Sequence, residues 1–99
     1  MNTEPSRAVA DQPVSRDQTT CFSLQAAADP GLMPRIVEIF ARRGLVPTRL
    51  HSVVGGPQGE LSIDLEMVGM AAELAARIAA EMRAVWGVHL VLTTEKRFA

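Results

Sequence analysis

The sequence predicts an α+β sandwich, a four-stranded antiparallel sheet with two helices on one face. Three observations carry this expectation. Thr19 to Ala26 and Glu60 to Met67 alternate apolar and polar residues, the period of strands with one buried face. The stretches around Met33 to Phe40 and Ala71 to Val85 carry apolar residues at helical spacing. The resulting order, strand, helix, strand, strand, helix, strand, is the split βαβ arrangement of ferredoxin-like sandwiches. Right-handed crossovers place both helices on one side, with strand order 4-1-3-2 and strands 2 and 4 at the edges.

Each element has its own local reason. In the first strand Phe22, Leu24 and Ala26 share one side, and Ser23 and Gln25 the other. Asp29-Pro30-Gly31 ends it. The helix that follows places Met33, Ile36, Val37 and Phe40 on one face, and Pro34 falls in its first turn, where a missing N–H is tolerated. Arg42 and Arg43 sit at the negative helix end, and Gly44 suits the left-handed residue that closes it. Val46 to Val54 is a weakly alternating strand, with Pro47 near its start favouring an edge. Gly55-Gly56-Pro57-Gln58-Gly59 joins it to the third strand. Leu61, Ile63, Leu65 and Met67 of that strand turn to the core, against Ser62, Asp64 and Glu66. Ala71 to Trp86 reads as a helix, with Ala71, Leu74, Ala75, Ile78, Met82 and Val85 as its stripe and Glu73–Arg77 and Arg77–Glu81 as outer pairs. Gly87 stops it, and Val88 to Thr94 is the last strand.

Composition narrows the function. Ninety-nine residues make one domain at most. Residues 1–19 mix Pro, Ser, Thr, Gln and charges with scattered apolar residues, so a flexible tail is expected there and the folded domain over 20–97. The tail lacks the apolar core of a signal peptide, and no run approaches the ~18 apolar residues of a membrane span, so a cytoplasmic place is expected and a membrane is not. A core of roughly 80 residues is marginal alone. The single cysteine, Cys21, excludes an internal disulfide and a four-cysteine zinc site, which leaves oligomerisation as the stabilising device. The formal charge is −1, no basic run interleaves with aromatics, Tyr is absent and Trp86 stands alone, so nucleic acid is not an expected partner.

No residues suggest chemistry. His51 and His89 lie on different strands without a third ligand at metal spacing and read as surface residues. Cys21 reads as a small apolar filler. Asp64 and Glu66 read as solvated carboxylates on a polar strand face, and Met33, Met67, Met70 and Met82 as core fillers. The glycine-rich connection lacks the Lys-Ser/Thr of a phosphate loop. Neither a catalytic set, a cofactor nor a metal is expected. The turn between the first strand and the first helix is the exception of interest: Gly31 is read chiefly as a glycine-requiring tight turn and Asp29 chiefly as a helix cap, with contact to a ligand's carboxylate and ammonium as the functional alternatives.

Asp29-Pro30-Gly31, the Ile36-Val37…Phe40 helix and Arg42-Arg43-Gly44 resemble the start of an ACT domain, and the resemblance covers Thr20 to Lys96. The run is similar to the regulatory (small) subunit of acetolactate synthase, of the short kind, since the chain ends at Ala99. The resemblance implies a non-catalytic regulatory subunit that forms a homodimer and activates the catalytic subunit of acetolactate synthase or another biosynthetic enzyme. The second reading is a stand-alone amino-acid sensor with a different partner. The resemblance implies an effector site at Asp29, Pro30, Gly31, Leu32 and Val46, and a dimer edge at Thr48, Arg49, Leu50, His51, Ser52 and Val53. Valine-binding members of this kind carry asparagine where this chain has Ala28 and Val46, so branched-chain amino acids are expected to bind weakly or not at all.

Overall fold

The computed structural model describes residues 18–97. Its elements are β1 (Gln18–Ala26), α1 (Leu32–Ala41), β2 (Arg49–Gly55), β3 (Glu60–Val68), α2 (Ala72–Arg83) and β4 (Val88–Arg97). The strands form one antiparallel sheet in the order β2-β3-β1-β4, the expected order read from the other side. The expected tail lies outside the described residues except at its inner end. There Gln18 and Thr19 already belong to β1, paired with Arg97 and Lys96 of β4.

The core lies between the central strands and the helices. Phe22, Leu24 and Ala26 of β1 and Leu61, Ile63, Leu65 and Met67 of β3 meet Leu32, Ile36, Ile39 and Phe40 of α1 and Ala75, Ile78, Ala79 and Met82 of α2. The Phe22 and Phe40 rings meet edge to face, with centroids 5.9 Å apart. Met67, Met70 and Met82 are buried, and Met33 packs at the margin. Of β4 only Val91 enters the core, and of β2 no residue does.

Two helix expectations need correction. The face of α1 centres on Leu32, Ile36, Ile39 and Phe40, with Val37 only partly covered. Apolar residues occur almost all round this helix, so spacing alone could not fix its rotation. The α2 helix ends at Arg83, before the expected Trp86, and Ala84 to Gly87 turn into β4. Its Glu81 does not settle on Arg77. It takes a two-pronged bond from Arg43, whose Nη1 and Nη2 lie 2.8 and 2.6 Å from Oε1 and Oε2. That pair ties the end of α1 to α2.

The chain leaves α1 as expected. The Leu45 N–H donates to the Phe40 carbonyl and the Gly44 N–H to the Ala41 carbonyl, the paired bonds of a Schellman close, with Gly44 at φ +68. β2 starts at Arg49, later than expected, so Pro47 precedes the strand. The cause is visible at Thr48, whose N–H and Oγ1 both donate to the Glu66 carbonyl at 2.8 Å.

Candidate functional site

The β1–α1 turn is a closed local unit. The Asp29 N–H donates to the Ala27 carbonyl, the Gly31 N–H to Asp29 Oδ2 at 3.1 Å, and the Leu32 N–H to the Asp29 carbonyl at 3.0 Å. The Gly31 and Leu32 amides, which a ligand carboxylate would need, are thus engaged by Asp29 itself. The N-cap residue is Gly31, with no side-chain cap, so Asp29 braces the turn from two residues earlier and does not cap the helix. Gly31 has φ −83, open to any residue, so its backbone does not require glycine. A Cβ there would instead stand 3.3 Å from Asp29 Oδ2 and 3.4 Å from Arg35 Nη1. Pro30 and Ala28 are exposed, whereas the Leu32 side chain is fully buried in the core.

Sequence reasoning missed the second wall of this turn. The Ala27 N–H donates to the Gly87 carbonyl at 2.8 Å. Gly87 has φ +96, and a Cβ on it would stand 3.1 Å from Leu32 Cδ1. Glycine is required here on both counts. The preceding Trp86 stands 78 % exposed beside this contact. The signal was a lone tryptophan before a helix-ending glycine, which periodicity treats as the tail of a helix.

Val46 does not join this turn. It is 80 % exposed and follows the C-terminal end of α1, while Asp29 to Leu32 stand at its N-terminal end. The 10 residues of α1 separate them, ~15 Å at the helical rise.

The sheet's other face is open and carries cross-strand rows. Arg49, Glu66, Cys21 and Thr94 form one row; His51, Asp64, Ser23 and Leu92 form the next. Ser23 Oγ donates to Asp64 Oδ1 at 2.8 Å, and Glu66 lies 3.6 Å from both Arg49 and Lys96. These carboxylates are therefore held across strands and not merely solvated. The serine hydroxyl meets a carboxylate and not an imidazole, so the row is not a nucleophile relay. Cys21 is buried and His51 and His89 are exposed, as expected. Among the described residues no three His, Cys, Asp or Glu gather at metal-holding distance. No described helix is long and apolar enough to cross a membrane.

The edge of β2 is the most exposed apolar element. Its backbone directions follow from one bond. The Gly69 N–H donates to the Gln18 carbonyl, so alternate residues of β3 turn to β1, while Glu66, Asp64 and Ser62 turn to β2. Their partners Arg49, His51 and Val53 consequently turn inward, and Leu50, Ser52 and Val54 present backbone groups to the outside. Leu50, Val53 and Val54 are 41, 48 and 63 % exposed. Neither helix covers this strand. Of the expected edge residues, Thr48 precedes the strand and spends its N–H on Glu66, and Val54 belongs to the edge that the sequence reading ended at Val53.

Comparisons agree with this architecture. The C-terminal domain of the MgtC protein from Mycobacterium tuberculosis superposes with a TM-score of 0.65 at 16 % identity, covering 90 % of this chain and 95 % of that one. The ACT domain from GTP pyrophosphokinase of Chlorobium tepidum gives 0.63 at 11 % identity, covering 79 % and 88 %. The regulatory subunit of aspartate kinase from Thermus flavus gives 0.57 at 12 % identity, covering 83 % of this chain and 57 % of that one. At these identities the likeness is one of fold. No curated protein matches the chain. The ACT-like domain profile matches residues 14–97, and by that match the chain belongs to the ACT-like domain family.

Proposed function

We propose that this chain is a non-catalytic regulatory subunit that works as a homodimer on a biosynthetic enzyme, acetolactate synthase being the partner to test first. The observation that carries this is the bare β2 strand. It presents outward backbone groups at Leu50, Ser52 and Val54 and exposed apolar side chains on both faces. A strand edge of this kind is completed by another strand. A second copy related by a two-fold axis through Ser52 would set Leu50 against the partner copy's Val54 and extend the sheet to both chains. The regulatory nature of ACT domains and the expected likeness to the small subunit of acetolactate synthase support the choice of partner. A regulator acts only through its differential affinity for two states of that enzyme.

The test is acetolactate formation by the catalytic subunit from the same organism, with and without this protein, at saturating thiamine diphosphate and magnesium. The expected result is faster turnover and co-elution of the two proteins. Unchanged turnover without co-elution removes acetolactate synthase. Light scattering should give twice the chain mass at ~50 µM, well above ordinary homodimer dissociation constants; a clean monomer there removes the dimer.

A further inference from the structure

We propose that Arg83 closes the β4 edge of the sheet, and so confines self-assembly to β2 and stops it at two chains. The proposal rests on the dimer reading above. The sheet has two edges, and an isologous contact at each would join copies without end: β2 to β2, β4 to β4, and on. Something must distinguish the edges.

Arg83 does so geometrically. It leaves the last turn of α2 and donates from Nη2 to the Val91 carbonyl at 3.2 Å. That carbonyl points outward. The Ala27 N–H bonds the Gly87 carbonyl, and the register then slips by one residue, between Gln25 and Ala26, which leaves His89 as the extra residue of a bulge. Past the bulge Leu90 and Leu92 turn to β1, and Val91, Thr93 and Glu95 turn to the outside. A β4–β4 ladder centred on Thr93 would need the Val91 carbonyl, and the guanidinium both occupies it and stands in the groove beside it. Arg83 lines the surface along Val88 to Val91 and again along Thr93 to Glu95. Among the described residues no side chain takes an outward backbone group of β2. A bulge and a charged side chain blunt an edge, and on β4 both act on the outward backbone, whereas Arg49 of β2 turns its charge to Glu66.

The experiment compares the full chain with Arg83→Ala by sedimentation and light scattering, from dilute solution to above ~50 µM, with circular dichroism to confirm the fold. Arg83→Ala should exceed the wild-type mass and keep growing with concentration. Adding Thr93→Pro, which removes an outward donor that an edge strand can lose, should return the mass to the wild-type value. A folded Arg83→Ala that keeps the wild-type mass at every concentration overturns the proposal. So does growth that Thr93→Pro fails to stop, since that growth would not run through β4. The dimer reading fails separately: a monomeric wild type whose Arg83→Ala form becomes a dimer would refute pairing at β2 and uphold the guard on β4.

Discussion

Among single residues Thr20 is the anomaly. Its side chain is fully buried on the helix side of β1, between Met67 and Glu95, and Oγ1 has no hydrogen-bond partner. A buried hydroxyl without a partner costs ~1–3 kcal/mol relative to water. Valine keeps the branched shape and strand preference and removes the polar atom. Thr20→Val is therefore expected to raise unfolding free energy by ~1 kcal/mol, read from urea denaturation of both proteins. Equal or lower stability would show that the hydroxyl is bonded in solution. This atom was not legible beforehand: in the alternation of β1 Thr20 falls on the core side, but composition cannot reveal whether its neighbours supply a partner.

At the level of elements, the strands were legible and the helix contacts were not. β1 and β3 alternate because each buries one face, and that period survives any detail of packing. The rotation of α1 was not legible, because Met33 and Val37 are as apolar as Leu32 and Ile39 and only the sheet decides between them. The Arg43–Glu81 bridge was hidden for a related reason, since it joins helices far apart in sequence while Arg77 offered Glu81 a local partner. Hydrogen bonding from Arg43 holds the Glu81 carboxyl below its usual 4.5, with further help from the charges of Arg43, Arg42 and Arg77. A carboxyl whose folded value lies below its unfolded one favours the native state above the unfolded value, and that contribution disappears as pH falls through the folded value. Glu81→Gln is thus expected to lower stability at pH 7 and to converge on the wild type in the acid range below 4.5. Parallel denaturation series from pH 7 to acid check it. A gap of constant size across that range would show that the bridge contributes by packing and not by charge.

For the molecule as a whole, the effector residues named from the sequence sit at two ends of one copy. Asp29, Pro30 and Gly31 stand where β1 ends, and Val46 lies beyond the far end of α1. β2 runs from the Val46 end back toward the turn, since Val54 pairs with Leu61 and Leu61 with Ala26. In the proposed two-fold pairing through Ser52, the strands run opposite ways, so the partner copy's Val46 loop comes to the end that holds this copy's turn. A site built from both segments then exists only in the dimer. In the present chain it is short of polar groups: the Gly31 and Leu32 amides are spent on Asp29, and the side chains of Ala28 and Val46 offer no hydrogen bond. Valine titrated calorimetrically into the wild type is therefore expected to give no binding below ~1 mM. Ala28→Asn with Val46→Asn restores a polar group at each end and is expected to bring binding into that range. Adding Leu50→Pro, which removes an outward N–H from β2 without touching its ladder to β3, should abolish the gain as it abolishes the dimer. A monomeric triple variant that binds valine as well as the double variant would place the whole site within one copy, and tight binding by the wild type would show that the turn opens to release its amides.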